Sequence, residues 1–280
     1  MGLGRSEVIG LLERFDLSPS RALGQNFLCD PNTAAKIVKL AHVTSADDVL
    51  EVGPGIGSLT VEIASVAHSV VAVEFDRYVI GALEEVLGQR GITNVEVVCA
   101  DALKADYARL LQDFPTWKLV ANLPYNISAQ LVLSILEKYP MITEMLVMVQ
   151  REVGERMCAA PGTSNFSQVA LKLGYFAKAK VVSLVSREVF VPKPNVDSVL
   201  IHVWRRPPTE LDLDQVTYET VFSLARLAFA NRRQMIRRTL ASKMSVLEIG
   251  AAGLDPARRP ETLELREWTS LAGVLLKSKG

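Results

Sequence analysis

The chain has 280 residues, 49% hydrophobic and 22% charged, with 31 basic residues against 31 acidic ones. That length suits one large domain or two unequal ones, and the composition excludes global disorder. A net charge of zero excludes a protein that meets nucleic acid through its overall charge, so any such partner has to be met by local basic patches.

Cys29, Cys99 and Cys158 are widely spaced, and no C-x-x-C occurs. His42, His68 and His202 have no second ligand type at metal spacing. Neither a disulfide framework nor a metal site is expected, and a reducing compartment fits. The N-terminus lacks an apolar signal core and no uncharged run reaches membrane-spanning length, so a soluble cytoplasmic protein is expected.

In chain order, residues 6–15 read as a helix with Val8, Leu11, Leu12 and Phe15 on one face. The segment 21–28, R-A-L-G-Q-N-F-L, is a loop rich in hydrogen-bonding groups that ends in two large apolar residues. Phe27 and Leu28 can equally serve only to staple the next helix to the core. That helix begins at Asp30 and Pro31, a good N-cap followed by a good first-turn residue.

Residues 49–52 read as a buried strand. Gly53, Gly55 and Gly57 follow at once, and 58–64 can run as a helix. A strand, a glycine turn and a helix make a nucleotide pocket, because glycine permits close backbone approach and positive φ while the helix start offers unpaired N–H groups. A dinucleotide fingerprint needs G-x-G-x-x-G or A; counted from Gly53, its third position falls on Ser58. What stands is E-x-G-x-G-x-G from Glu51, which resembles the pattern of S-adenosylmethionine-dependent methyltransferases. A tight strand-to-helix turn is the plainer alternative.

Residues 69–74 form a second strand ending in Glu74. In nucleoside-binding α/β folds an acid there accepts hydrogen bonds from ribose hydroxyls. Asp76 lies past the strand end and ranks lower. Residues 95–101 form a third strand closing on Asp101, which can accept from the exocyclic amine of an adenine or cap the segment beginning at Ala102. Residues 118–122 form the fourth strand, followed by Asn122, Leu123, Pro124 and Tyr125. That run matches the [D/N]-[P/L/I]-P-[Y/F/W] signature of amino-methyltransferases. An adenine N6 lone pair is delocalised and weakly nucleophilic. The Asn122 side-chain oxygen and the carbonyl of Leu123 or Pro124 can accept both amine hydrogens and favour the charge that develops on nitrogen. Pro124 stiffens the turn, and the Tyr125 ring can stack on the base.

A fifth strand over 144–149, an exposed loop over 160–165, a helix over 166–176 and a sixth strand over 179–185 follow. Then F-V-P-K-P-N-V-D-S runs from Phe190 to Ser198. Its prolines fix an extended loop that suits Phe190 to clamp a flipped base; a buried Phe before a turn is the alternative. Residues 199–204 close the sheet. A boundary follows at 205–209, giving domains 1–208 and 209–280, the second helical. Residues 226–243 hold six basic residues (Arg226, Arg232, Arg233, Arg237, Arg238, Lys243) and no acid. Phe222, Phe229, Ile236 and Leu240 recur at helical spacing as a buried stripe, which puts Arg226, Arg233 and Arg237 on another face. The cluster reads as phosphate-backbone contact or as a solvated helix face.

Five ordered motifs together carry a resemblance over almost the whole chain: 23–28 (L-G-Q-N-F-L), 51–57, 122–128 (N-L-P-Y-N-I-S), 149–153 (V-Q-R-E-V) and 190–198. The sequence closely resembles the KsgA-type ribosomal RNA adenine dimethyltransferases. The resemblance implies a Rossmann-like class I methyltransferase, with a seven-stranded, mostly parallel sheet and a small C-terminal all-α domain. It implies dimethylation of N6 on two adjacent adenosines near the 3′ end of small-subunit rRNA, in an immature 30S subunit, by a monomer. It implies S-adenosylmethionine contacts from Asn26, Leu28, Gly53, Gly55, Glu74, Asp101 and Asn122, with the target base between Tyr125 and Phe190. Direct methyl transfer without a metal is expected. The basic helix departs from the family's F-x-x-R-R-K-x-L-x-N, with Gln234 in the Lys position and Arg238 in the Asn position.

The nearest alternative is an Erm-type large-subunit rRNA methyltransferase; Gly24 and Leu123 favour the KsgA type. A non-catalytic ribosome-assembly factor would not need the intact Asn122 turn and glycine loop, and a small-molecule methyltransferase would not need the basic helical appendage.

Overall fold

In the computed structural model, which describes residues 2–19, 24–207 and 213–278, the strands that end in acids lie side by side. Arg21, Ala22 and Leu23 of the N-terminal loop, and residues 208–209 at the expected boundary, fall outside the described residues. The chain divides into two units, Met1–Gly154 with Ala179–Arg205, and Glu155–Lys178 with Arg206–Gly280.

The first unit opens with α1 (Arg5–Arg14), β1 (Phe27–Leu28) and α2 (Pro31–Leu40). Asp30 caps α2 by accepting from Thr33 N at 2.9 Å. Then β2 (Asp48–Val52), α3 (Ser58–Ala64), β3 (Ser69–Glu74), α4 (Arg77–Gln89) and β4 (Val95–Cys99) alternate, as parallel strands require. The chain continues through α5 (Tyr107–Leu110), β5 (Trp117–Asn122), α6 (Ser128–Lys138), β6 (Ile142–Gln150) and α7 (Arg151–Met157). After α8 (Gln168–Phe176) come β7 (Ala177–Val185), β8 (Phe190–Val191) and β9 (Ser198–Arg205).

The seven-stranded sheet has the order β4-β3-β2-β5-β6-β9-β7. Neighbours from β4 to β6 are parallel, and β9 runs antiparallel to β6 with Gln150 opposite Ser198. The last strand therefore lies inside the sheet, and β7 is its edge. The chain steps from β2 to β3 and β4 on one side, then crosses to β5 on the other. Ligands of open α/β sheets bind outside the strand ends at such a switch point.

All five residues of β2 are buried. Ile37, Leu59 and Ile63 from α2 and α3 pack with Val49, Val120 and Leu146 of the sheet. Val8 and Leu11 of α1 form a second cluster with Phe27, Ile56, Val79 and Val86. Each such side chain contributes roughly 1.5–3 kcal/mol when fully buried. This packing holds β2 and the turn after it.

The second unit contains α8, α9 (Gln215–Phe229), α10 (Ile236–Thr239), α11 (Val246–Ala251) and α12 (Leu265–Lys277). It corrects the expected domains. Residues 155–178 belong with the helical unit because Phe166, Ala170 and Leu171 pack in one cluster with Val221, Phe222, Trp268 and Leu271. It also corrects the long basic helix. The stripe Phe222, Phe229, Ile236 and Leu240 does pack inward, but α9 ends at Phe229 and α10 starts afresh. The backbone N–H groups of Ile236 and Arg237 donate to the carbonyls of Arg258 and Pro256 at 2.8 and 3.1 Å. With those donors claimed by a distant segment, a continuous helix through 230–236 cannot form. Arg226, Arg233 and Arg237 therefore do not share one helical face.

Candidate active site

A cavity of about 280 Å³ opens at the carboxyl ends of β2, β3 and β5. It is lined by Asn26, Leu28, Gly53, Gly55, Glu74, Asp101 and Asn122 together, and by Leu123, Pro124 and Tyr125. Seven side chains or turns expected to hold a cofactor thus meet at one place, although they are spread over almost a hundred residues.

The glycine turn explains its own composition. Gly53 has φ +70°, and a Cβ there would lie 3.2 Å from Pro124 Cδ. Only glycine combines that backbone conformation with so close an approach of the 122–125 turn. Gly55 has φ +56°, and a Cβ there would meet Phe27 Cδ1 at 3.0 Å.

Glu74 is buried at the end of β3. Its Oε2 accepts from Gly55 N at 3.2 Å, and its Oε1 from Phe75 N and Asp76 N at 2.8 and 3.0 Å. Burial pushes its carboxyl up, the three backbone donors pull it down, and the Asp76 charge adds to the rise. Glu74 so ties the glycine turn to the next strand. Asp101 lies two residues past β4, and its Oδ1 accepts from Leu103 N at 3.0 Å. That donor holds its carboxyl below the usual value, with Lys104 assisting. The capping role is therefore present; Lys104 Nζ lies 3.2 Å from Oδ2, and Asp101 as a whole lines the cavity.

Asn122 closes β5. Its Nδ2 donates to Asn26 O at 3.3 Å, and its Oδ1 is buried without a hydrogen-bond partner among the described residues. Buried polar atoms are normally paired, so an orphan in a cavity wall marks a ligand-facing acceptor. Leu123 is buried, and its N–H donates to Met148 O at 3.1 Å. Tyr125 is half-buried, and its hydroxyl is 2.7 Å from Ser198 Oγ at the start of β9. Burial pushes that phenol up from 10.

Phe190 departs from the expectation. It is fully buried, pairs across β8 and β1 with Leu28, and packs in the cluster of Ile37, Val49 and Leu200. The buried-Phe alternative is what the structure shows. A ring held on all sides by aliphatic side chains has no face for a base, and Phe190 does not line the cavity.

In the sequence Glu51 stands only as the first letter of the glycine motif. It is 1% exposed, lines the cavity, and its Oε2 has no partner among the described residues. Burial pushes its carboxyl up from 4.5 to about 8, and the Glu74 charge adds to this. The Thr60 hydroxyl opposes the rise from nearby, short of hydrogen-bond geometry. The one sequence signal was an acid inside an otherwise apolar strand.

In the helical unit, Arg226, Arg232, Arg233, Arg237 and Arg238 are all exposed. Arg232 donates from Nη1 to Ser164 O at 3.0 Å. Among the described residues no group of three or more His, Cys, Asp or Glu is placed to hold a metal, and no helix is long and apolar enough to cross a membrane.

A mostly parallel seven-stranded sheet with an inserted antiparallel strand, a glycine turn after the first long strand and an acid after the second define a class I methyltransferase. Methyltransferases of this class take their methyl group from S-adenosylmethionine. The chain belongs to the ribosomal RNA adenine dimethylase family, whose model matches residues 18–275. It is 38% identical over 280 residues to the ribosomal RNA small subunit methyltransferase A of Moorella thermoacetica, covering 95% of this chain and 96% of that one. The protein of the same name from Pelotomaculum thermopropionicum is 39% identical, with 96% of each chain covered. Among solved structures it is similar to a dimethyladenosine transferase from Plasmodium falciparum, with TM-score 0.74 and 26% identity over 88% of this chain and 95% of that one. It is also similar to the 23S rRNA methyltransferase ErmE, with TM-score 0.68 and 28% identity over 89% and 99%.

Proposed function

We propose that this protein transfers methyl groups from S-adenosylmethionine to N6 of two adjacent adenosines near the 3′ end of small-subunit rRNA, giving N6,N6-dimethyladenosine. The observation that carries the reading is Asn122. It ends the central strand β5 with its nitrogen tied to Asn26 O and its oxygen buried and unpaired. A site built to hold an amine needs that arrangement, an acceptor fixed in place and unable to rotate away. Family membership and the full-length similarity to small-subunit enzymes support the choice of acceptor.

The donor set fits the cofactor. Glu74, with three backbone donors on its carboxylate, keeps an acceptor site on Oε2 for a ribose hydroxyl, and Asp101 lines the cavity as the acceptor for an exocyclic amine. Gly53 and Gly55 keep the floor of the cavity free of Cβ atoms, and Asn26 and Leu28 form its wall. When bound, S-adenosylmethionine supplies an activated methyl group.

The chain's own residues then act on the base. Asn122 Oδ1 accepts one amine hydrogen. Pro124 O already accepts from Ile127 N at 3.2 Å, so the Leu123 carbonyl is the better acceptor for the other. Two acceptors on one amine orient it and favour the positive charge that grows on nitrogen as it attacks. Tyr125, anchored through its hydroxyl to Ser198, presents its ring to the base. Phe190 supports this wall from behind through its pairing with Leu28.

Arg226, Arg233, Arg237 and Arg238 are the proposed contacts to rRNA phosphates, with Arg232 beside them. Such contacts make binding fall steeply with salt. We place the enzyme in the cytoplasm, acting as a monomer on an immature 30S subunit. The test is Asn122→Ala. Transfer should fall by about 100-fold or more with an unchanged thermal midpoint. Near-normal methylation by the folded variant would sink the assignment.

A further inference from the structure

We propose that Gln25 and Asp76 form a clasp that sets the Asn122 amide for methyl transfer, so that both are positioning residues of the reaction. The inference rests on the reading of Asn122 as the holder of the target amine.

The segment 24–26 lies between the carboxyl ends of β3 and β5 and lines the cavity. It is held on both sides. Towards β3, Gln25 Nε2 donates to Asp76 Oδ2 at 2.9 Å. Towards β5, Asn26 O accepts from Asn122 Nδ2 at 3.3 Å. The segment is also closed on itself, because Asn26 Nδ2 donates to Gly24 O at 3.1 Å. Gly24 has φ +66°, and a Cβ there would stand 3.3 Å from Tyr125 N. Three successive residues thus reach the start of α4, the end of β5 and the turn that follows it.

Asp76 is a firm anchor. Its two oxygens have separate tasks: Oδ1 caps α4 by accepting from Tyr78 N at 3.0 Å, and Oδ2 receives Gln25. The helix therefore fixes the carboxylate to which the segment is tied.

The consequence falls on Asn122. A backbone carbonyl can only accept, so the atom of the Asn122 amide that faces Asn26 O must be its nitrogen. That leaves Oδ1 as the atom for the amine, and Oδ1 is the buried, unpaired one. If the segment drifts from Asn122, the amide loses the partner that distinguishes its two ends. Rotated by half a turn, it would present a donor to a donor, and the amine would not be held. Gln25 thus acts through the chain at Asn26, and does not itself touch the reacting nitrogen.

A charge swap tests this without disturbing the helix cap. Gln25→Glu puts two carboxylates face to face and opens the clasp. Asp76→Asn keeps the cap, since Asn caps as well as Asp, and in the pair Gln25→Glu with Asp76→Asn an amide again donates to a carboxylate. The readout is single-turnover methyl transfer onto undermethylated small subunits at saturating cofactor and particle, with the thermal midpoint measured alongside. Gln25→Glu should slow the step by about tenfold, and the pair should recover to within about twofold. Gln25→Ala, which removes the bond without repulsion, should slow it by about threefold. A structural or cofactor-binding role would move the midpoint or the cofactor affinity and spare the saturated rate. Wild-type rates in Gln25→Glu and Gln25→Ala, or failure of the folded pair to recover, would overturn the clasp. Asn122→Ala run in parallel separates the two claims. An inactive Asn122→Ala with a normal Gln25→Glu removes only the clasp, whereas an active Asn122→Ala removes the amine site and the clasp with it.

Discussion

Replacing Glu51 by Gln changes one proton and almost nothing of the shape. The Glu51 carboxyl lies in β2, one residue short of the strand's end, is 1% exposed, and is pushed from 4.5 up to about 8 by burial and by the Glu74 charge. A carboxyl raised on folding holds its proton in the native chain after the unfolded chain has lost it. The stability it contributes is complete below about pH 4.5 and is lost as pH rises through about 8. Each pH unit between those values is worth about 1.4 kcal/mol, which bounds the total at roughly 5 kcal/mol. Gln has no proton to lose, so the loss is absent from the variant. Urea unfolding of both proteins from about pH 5 to about pH 8 measures the difference directly. Wild type should lose stability relative to Glu51→Gln steadily across that range, by several kcal/mol in all. Other titrating groups are common to both proteins and cancel, except that the coupling of Glu74 to Glu51 is part of the measured difference. Parallel curves, with a constant offset at every pH, would refute the reasoning and mean that Glu51 is charged in the folded chain.

Two further outcomes are expected. Gly154→Ala should destabilise the first unit by about 1–3 kcal/mol in urea unfolding, because a Cβ there would sit 2.3 Å from Val199 Cγ2 and 3.0 Å from Val149 Cγ2. Charge reversal at Arg233 and Arg237 should weaken small-subunit binding by tenfold or more, in the order of magnitude set by lost phosphate contacts, while cofactor affinity by calorimetry stays put; equal loss of both would remove the RNA role of these arginines.

Much of the site was legible because its residues stand at strand ends. Glu74 and Asn122 are marked by an apolar run that stops on a polar residue, and both fall where the chain of β3 and β5 ends. Gly53 and Gly55 were readable from spacing, and their positive φ angles give the reason. Phe190 was not legible. Its burial depends on pairing with Leu28, 162 residues away, and a local motif carries no trace of that register. The break between α9 and α10 was hidden for the same reason, since the carbonyls of Pro256 and Arg258 decide it. Residues 155–178 precede three strands of the first unit in sequence yet pack with helices that follow them. Helical periodicity reports that a face is apolar, and does not say which core will cover it. Glu51 lay in plain view, but its chemistry comes from complete burial, which the surrounding β2 residues supply only once the sheet has formed.

The most direct measurement of the central claim is methyl transfer from labelled S-adenosylmethionine onto undermethylated small subunits and, in parallel, onto naked large-subunit rRNA, with the product nucleoside identified. The account predicts N6,N6-dimethyladenosine in the small subunit alone. Label confined to the large-subunit RNA, or a product other than an N6-methylated adenosine, would contradict it.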